Sequence, residues 1–194
     1  HTMGKVDAWQ VRLDDETEGM MRKVFVAFDS EMTGLHPETD RIIEWGAVFF
    51  ENGEPTRIFS SLVNCGLYVR PSSQHVNHIS NESLRWAPRE QEAYQAFLDF
   101  LGPAAKGEIL LCAHNAKGDF TFLTQALNRC MLSGTFYYLD TLSLAREYLP
   151  GMTDYKQQTL AEELGIINEE AHRASTDAAV CGQIMWHILD AYRA

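Results

Sequence analysis

Asp29 and Glu31 stand two residues apart at the end of an apolar run, in Phe28-Asp29-Ser30-Glu31-Met32-Thr33-Gly34-Leu35. In a strand that spacing puts both carboxylates on one face. Their charges repel, so one would hold a proton unless a cation lay between them. Mg²⁺ or Mn²⁺ resolves the conflict, because hard divalent ions prefer oxygen ligands. Two further stretches carry related chemistry: His114-Asn115-Ala116-Lys117-Gly118-Asp119-Phe120 and His172-Arg173-Ala174-Ser175-Thr176-Asp177. Together they offer four carboxylates and one imidazole, the set that two-metal hydrolysis of a phosphodiester requires. Each stretch also has a plainer reading by itself. The first could be a solvated strand-end pair, the second a carboxylate favoured by a helix dipole, and the third a surface histidine near a helix start. Thr33-Gly34-Leu35 favours a site, since glycine permits a tight turn and close approach of a substrate backbone.

The third stretch has a geometric constraint. On one continuous helix, His172 and Asp177 would lie about 140° apart and could not easily share a site. Ser175 is a good N-cap residue, which would leave Asp177 in the first turn and His172 on the preceding loop. A loop histidine beside a metal-held water is well placed as a general base. His36, His75, His78, His114 and His187 lack metal-ligand spacing and are assigned structural or peripheral roles.

The elements that must position these groups alternate in type. Residues 23–28 form a strand ending at Asp29, and 42–64 form a hairpin broken at Glu51-Asn52-Gly53-Glu54. Helical patterns begin near Ser80 and after Pro88. A short apolar strand follows at 109–113, then a helix from about Asp119 and a strand at 136–139. Asp140 can cap a helix reaching Tyr148, and two more helices are expected near 158–164 and 175–192. This order predicts a single α/β domain over 23–194, with a mixed five-stranded sheet flanked by helices. Residues 1–22 read as a tag remnant, His1-Thr2 ahead of Met3, followed by a loosely ordered acidic extension.

With 194 residues, 45% hydrophobic and 22% charged, the chain has the composition of one globular domain with a real core. No apolar run approaches the ~20 residues of a membrane span, and no signal-peptide pattern stands at the start. Four scattered cysteines show neither zinc spacing nor a disulfide framework, so an intracellular, cytoplasmic protein is expected. The net charge of -11 excludes binding nucleic acid by global attraction alone. Affinity would have to come from bound cations, a local basic rim, a short substrate or a partner subunit.

With these residues in place, the chain resembles the DEDDh (DnaQ-like) 3′→5′ exonucleases, the group of polymerase proofreading subunits, ribonuclease T and oligoribonucleases. The resemblance spans about residues 23–190 and rests on three ordered motifs, with Ile42 to Val48 and Asp140-Thr141-Leu142 resembling segments between them. It implies a ribonuclease H-like fold with two Mg²⁺ or Mn²⁺ ions per site. Asp29, Glu31 and Asp177 would hold the catalytic metal, Asp29 would reach the second, and Asp119 would assist directly or through water. His172 would be the general base. Thr33, Gly34, Leu35 and Asn115 would bind substrate, Thr33 near the 3′-hydroxyl and Leu35 against the terminal base. The expected reaction releases nucleoside 5′-monophosphates from a single-stranded DNA 3′ end, as in proofreading. A 3′→5′ exoribonuclease acting on short RNA, or a polymerase-tethered nucleic-acid-binding module of minor activity, is the alternative. A polymerase partner and a homodimer both stay open. The chain departs from the pattern at Gly118, where relatives carry a bulky apolar residue, at Met32 in place of Thr, and at Asn77-His78-Ile79 in place of His-Gly-Ile.

Overall fold

A computed structural model describes residues 4–168 and 173–194. The chain runs β1 (Val6–Gln10), α1 (Asp15–Lys23), β2 (Val24–Met32), β3 (Ile42–Glu51) and β4 (Glu54–Leu62). Next come α2 (Pro71–Asn77), α3 (Asn81–Arg85), α4 (Glu90–Leu101), β5 (Leu111–Ala113) and α5 (Ala116–Arg129). β6 (Gly134–Asp140), α6 (Thr141–Tyr148), α7 (Gln157–Glu163) and α8 (Ala174–Arg193) complete it. The sheet order is β1-β6-β5-β2-β3-β4, with β2-β3-β4 antiparallel and β5, β6 and β1 joined in parallel.

The hairpin turn holds Asn52 and Gly53 at φ 53° and 83°, the left-handed pair that matches the twist of a two-residue connection. Strand alternation sorts the core onto two faces. Val26, Phe28, Trp45 and Ala47 pack with α4 and α5 residues such as Phe97, Phe120 and Leu123. Phe25, Ala27, Val48 and Phe50 pack with α8 residues Ala178, Cys181, Met185 and Ile188, the stripe read from the sequence.

The sheet has six strands, not the expected five, because residues 6–10 pair in parallel with β6. The expected loosely ordered acidic extension instead contributes β1 and most of α1. Asp14 caps α1 by accepting from Thr17 N, while Thr17 Oγ1 accepts from Asp14 N, a reciprocal capping box. Asp15, Glu16 and Glu18 then fall in the first turn, where the helix dipole favours them. Glu18 is buried and bridges Arg22 and Arg193, tying the start of the chain to α8.

Candidate active site

Asp29 and Glu31 leave the C-terminal end of β2 on the face shared with Phe25 and Ala27, towards α8. Asp177 lies in the first turn of α8. Carboxylate oxygens of Asp29, Glu31 and Asp177 all lie within 4.8 Å of one another. Asp119, in the first turn of α5, approaches from the opposite face of the sheet, because β5 lies parallel beside β2 and delivers the start of α5 to the same end. Its Oδ1 accepts from Ser30 Oγ at 2.5 Å, the residue between the two strand-end carboxylates. Three of the four predicted carboxylates therefore form one cluster, and the fourth stands beside it. His172 lies outside the described residues.

These groups line an open groove of ≈ 560 Å³ together with Leu35, His114, Asn115, Gly118, Phe122, Lys156, Gln157 and Asn168. That volume is in the range of small-ligand sites. Leu35 stands on the lip, 90% exposed. Gly34 packs closely behind it: a Cβ there would lie 2.3 Å from Asp40 Oδ2 and displace the carboxylate that accepts from Thr33 Oγ1 and His36 N. Thr33 is not among the groove-lining residues. β2 breaks register after Glu31, so the alternation that put Asp29 and Glu31 in the groove does not continue to Thr33. Thr33 is buried, donates through Oγ1 to Asp40 Oδ1 at 2.8 Å and accepts from Arg41 N at 3.0 Å.

The carboxylates are held where ionisation is costly. Burial, then repulsion from Asp119, Glu31 and Asp177, pushes Asp29 well above its usual range. Burial and repulsion from Asp177 and Glu44 push Glu31 up to about 8. Burial raises Asp119 to about 7 against the opposing hydrogen bond from Ser30. Asp29 Oδ2 is enclosed and has no hydrogen-bond partner among the described residues. An all-oxygen donor set with an orphaned buried oxygen fits a hard divalent cation, which would supply the missing positive charge.

The chain and its fold have counterparts among known proteins. Residues 26–185 match the RNase T exonuclease family. The chain belongs to that family. It is 37% identical over 163 residues to the DNA polymerase III subunit epsilon of Treponema pallidum, covering 82% of this chain and 74% of that protein. It is 31% identical over 176 residues to the 3′-5′ exonuclease DinG of Bacillus subtilis, covering 90% of this chain but 18% of the other. The exonuclease X complex with 5′ overhanging duplex DNA superposes with a TM-score of 0.68 at 20% identity, covering 88% of this chain and 93% of the other. E. coli exonuclease I in complex with a dT13 oligonucleotide gives 0.71 at 15% identity, over 86% of this chain and 40% of that one. The exonuclease domain thus spans less than half the length of several relatives.

Much of what seats the acidic cluster was not singled out from the sequence. Glu44 and Gly46 on β3 are the cross-strand partners of Glu31 and Asp29. Buried Glu44 holds Arg173 through Nη2 at 2.8 Å and accepts from Ala174 N at 2.9 Å, so a carboxylate from the sheet caps α8. The cap residue of α8 is accordingly Arg173, not Ser175 as expected, and its own side chain makes no cap hydrogen bond. A Cβ on Gly46 would lie 2.5 Å from Ala174 C, so only glycine lets the helix start rest beside Asp29. Asp140 caps α6 as expected, and its Oδ1 also accepts from Asn115 N at 2.8 Å, fixing the turn that opens α5. Asn115 holds that turn in the left-handed region at φ 61°. The signals were a lone acid and a lone glycine inside Ile42-Ile43-Glu44-Trp45-Gly46-Ala47-Val48. Gly118 faces open space, so its missing side chain leaves the groove wider without disturbing the helix.

Proposed function

We propose that this chain is a metal-dependent 3′→5′ exonuclease that removes nucleoside 5′-monophosphates from the 3′ end of single-stranded DNA. The observation carrying this reading is the convergence of Asp29, Glu31 and Asp177 within 4.8 Å, with a buried oxygen of Asp29 that has no hydrogen-bond partner among the described residues. Asp29, Glu31 and Asp177 would hold one Mg²⁺ or Mn²⁺, with Asp29 shared towards a second ion that Asp119 helps to bind. Bound there, two such ions supply Lewis-acid charge for the attacking and departing oxygens of a phosphodiester. His172 accepts a proton from the attacking water as its oxygen bonds to phosphorus, the bond from phosphorus to the 3′-oxygen breaks, and the departing oxygen takes a proton from solvent water. Asn168 donates to Asp177 Oδ1 at 3.1 Å, which orients that carboxylate, and Gln157 donates to the backbone Asp177 O at 2.9 Å, which holds the helix turn beneath it. Leu35, on the lip, and Asn115, in the wall, meet the terminal nucleotide, with Gly34 letting the Leu35 loop close against Asp40 behind them. Thr33 serves this site by anchoring the Leu35 loop.

Direction and substrate rest on the relatives, among them a polymerase subunit, a 3′-5′ exonuclease and nucleases crystallised with DNA. A polymerase partner belongs to the same reading, supported by that first relative and by a net charge of -11, which favours delivery to DNA by another protein. An intracellular setting agrees with its four free cysteines, and no described helix is long and apolar enough to cross a membrane.

The deciding assay compares single-stranded DNA, duplex DNA with a mismatched 3′ end, and short RNA, each with Mg²⁺, Mn²⁺ or EDTA. Stepwise shortening of the single strand, lost in EDTA, is the expected result. Faster shortening of the RNA would replace the DNA reading by an exoribonuclease, and cleavage that persists in EDTA would overturn the metal mechanism.

A further inference from the structure

The groove presents an electrostatic conflict with any phosphodiester substrate. Its described lining carries four carboxylates, Asp29, Glu31, Asp119 and Asp177, while burial holds His114 below the usual histidine range and so disfavours its cationic form. Two divalent ions would do no more than balance the four carboxylates, leaving the substrate's phosphate charges without a counterpart. Among the described lining residues one Lys or Arg is present: Lys156.

Its placement is fixed from both sides. The residue before it, Tyr155, accepts at its carbonyl from His114 Nε2 at 2.7 Å, so it is tied to the turn that opens α5. Gln157, the residue after it, donates from Nε2 to Asp177 O at 2.9 Å, so it is tied to the first turn of α8. Lys156 N donates to Asp154 Oδ1 at 2.9 Å, which sets the turn ahead of α7. The three-residue strap 155–157 therefore bridges the two helix starts that carry Asp119 and Asp177. Its middle side chain is exposed at the groove. A flexible lysine elsewhere on the surface would be a solvated charge. Here the backbone under it is bolted to the carboxylate cluster.

Resting on the exonuclease reading, we infer that Lys156 is a substrate-binding residue whose ammonium pairs with a phosphate of the nucleic-acid chain seated in the groove. It supplies ground-state attraction that the acidic lining lacks, so its contribution falls on KM more than on kcat.

The test compares the full chain with Lys156→Gln and Lys156→Arg in degradation of a 5′-labelled single-stranded DNA oligonucleotide with Mn²⁺, across a salt series. The Gln variant should raise KM on the order of tenfold, the loss of a charge-assisted contact, with kcat within about twofold. The slope of log kcat/KM against log salt should become shallower by about 0.7, the counterion effect of one phosphate contact on a single strand. Inhibition by a nucleoside 5′-monophosphate should weaken in the Gln variant while inhibition by the nucleoside does not change, and Arg should restore both. A Gln variant with wild-type KM and salt slope, or one that loses kcat at unchanged KM, overturns the assignment. If the wild-type chain leaves the oligonucleotide intact, the exonuclease reading fails first and this inference falls with it.

Discussion

In the metal-free fold the Asp29 carboxyl is costly to ionise: its Oδ2 is enclosed with no hydrogen-bond partner among the described residues, and burial, then repulsion from Asp119, Glu31 and Asp177, pushes it well above its usual range. Asp29→Asn should therefore abolish Mn²⁺-dependent shortening of an oligonucleotide while raising the melting temperature in EDTA. A metal-free variant that melts below the wild type would show that the carboxylate is structural. Asp177→Ala should be equally inactive, and His172→Ala should lose about 10²–10⁴-fold in rate, the usual contribution of a positioned general base. The raised carboxylates also set a pH dependence. Glu31 and Asp119 hold protons in the folded chain up to about 8 and about 7, whereas unfolded they release them near 4.5 and 3.8. Between those limits the folded state binds more protons than the unfolded one, so metal-free stability falls as pH rises through this window. Urea denaturation in EDTA at pH 5 and pH 8 should give a lower midpoint at pH 8. Added Mn²⁺ should raise the pH 8 midpoint most, because there the cation displaces the fewest protons.

At the scale of elements, the site is a junction in which β3 aligns the start of α8. Glu44 caps the helix and pairs with Arg173, and Gly46 admits its backbone. Gly46→Ala forces Ala174 away from Asp29, so it should cost about 1–3 kcal/mol in urea denaturation, as overpacking does. It should also weaken Mn²⁺ binding by calorimetry. Unchanged cation affinity at reduced stability would mean that the close approach serves packing alone. Glu44→Gln keeps the shape but loses the charge, and should move Asp177 enough to lower activity while the sheet stays intact by circular dichroism. Asp140 does the matching task for α5, holding Asn115 N and Ala116 N.

In the whole molecule, β1 closes one edge of the sheet and α1 docks its buried Glu18 against Arg193 at the far end of α8. Deleting residues 1–11 would expose the edge of β6, with Val6 and Ala8 no longer covering the α5-side core. Unpaired edges invite association between chains. The truncated chain should therefore have a lower denaturation midpoint and elute as larger species in size-exclusion chromatography. A monomer of unchanged midpoint would make β1 dispensable. The opposite edge, β4, is exposed along most of its length and includes Ile58 and Phe59.

Much of the fold could be read directly because it is written in local periodicity. The run 23–28, the hairpin around Asn52-Gly53 and the stripe Ala178, Cys181, Met185 and Ile188 each carry their own signal in adjacent residues. The pair Asp29 and Glu31 was legible for the same reason, since two-residue spacing in a strand has one geometric meaning. β1 was not legible, because five residues of mixed polarity become a strand only when β6 offers them an edge. Nor were the roles of Glu44, Gly46 and Lys156, or the withdrawal of Thr33 from the groove. Each depends on what lies across the sheet or beyond a register break, and not on its neighbours in sequence. Sequence by itself determined which chemical groups this chain owns and the order in which they come. Tertiary structure alone decided which of them meet, because side-chain convergence is set by strand pairing and helix seating between residues 129 and 130 positions apart.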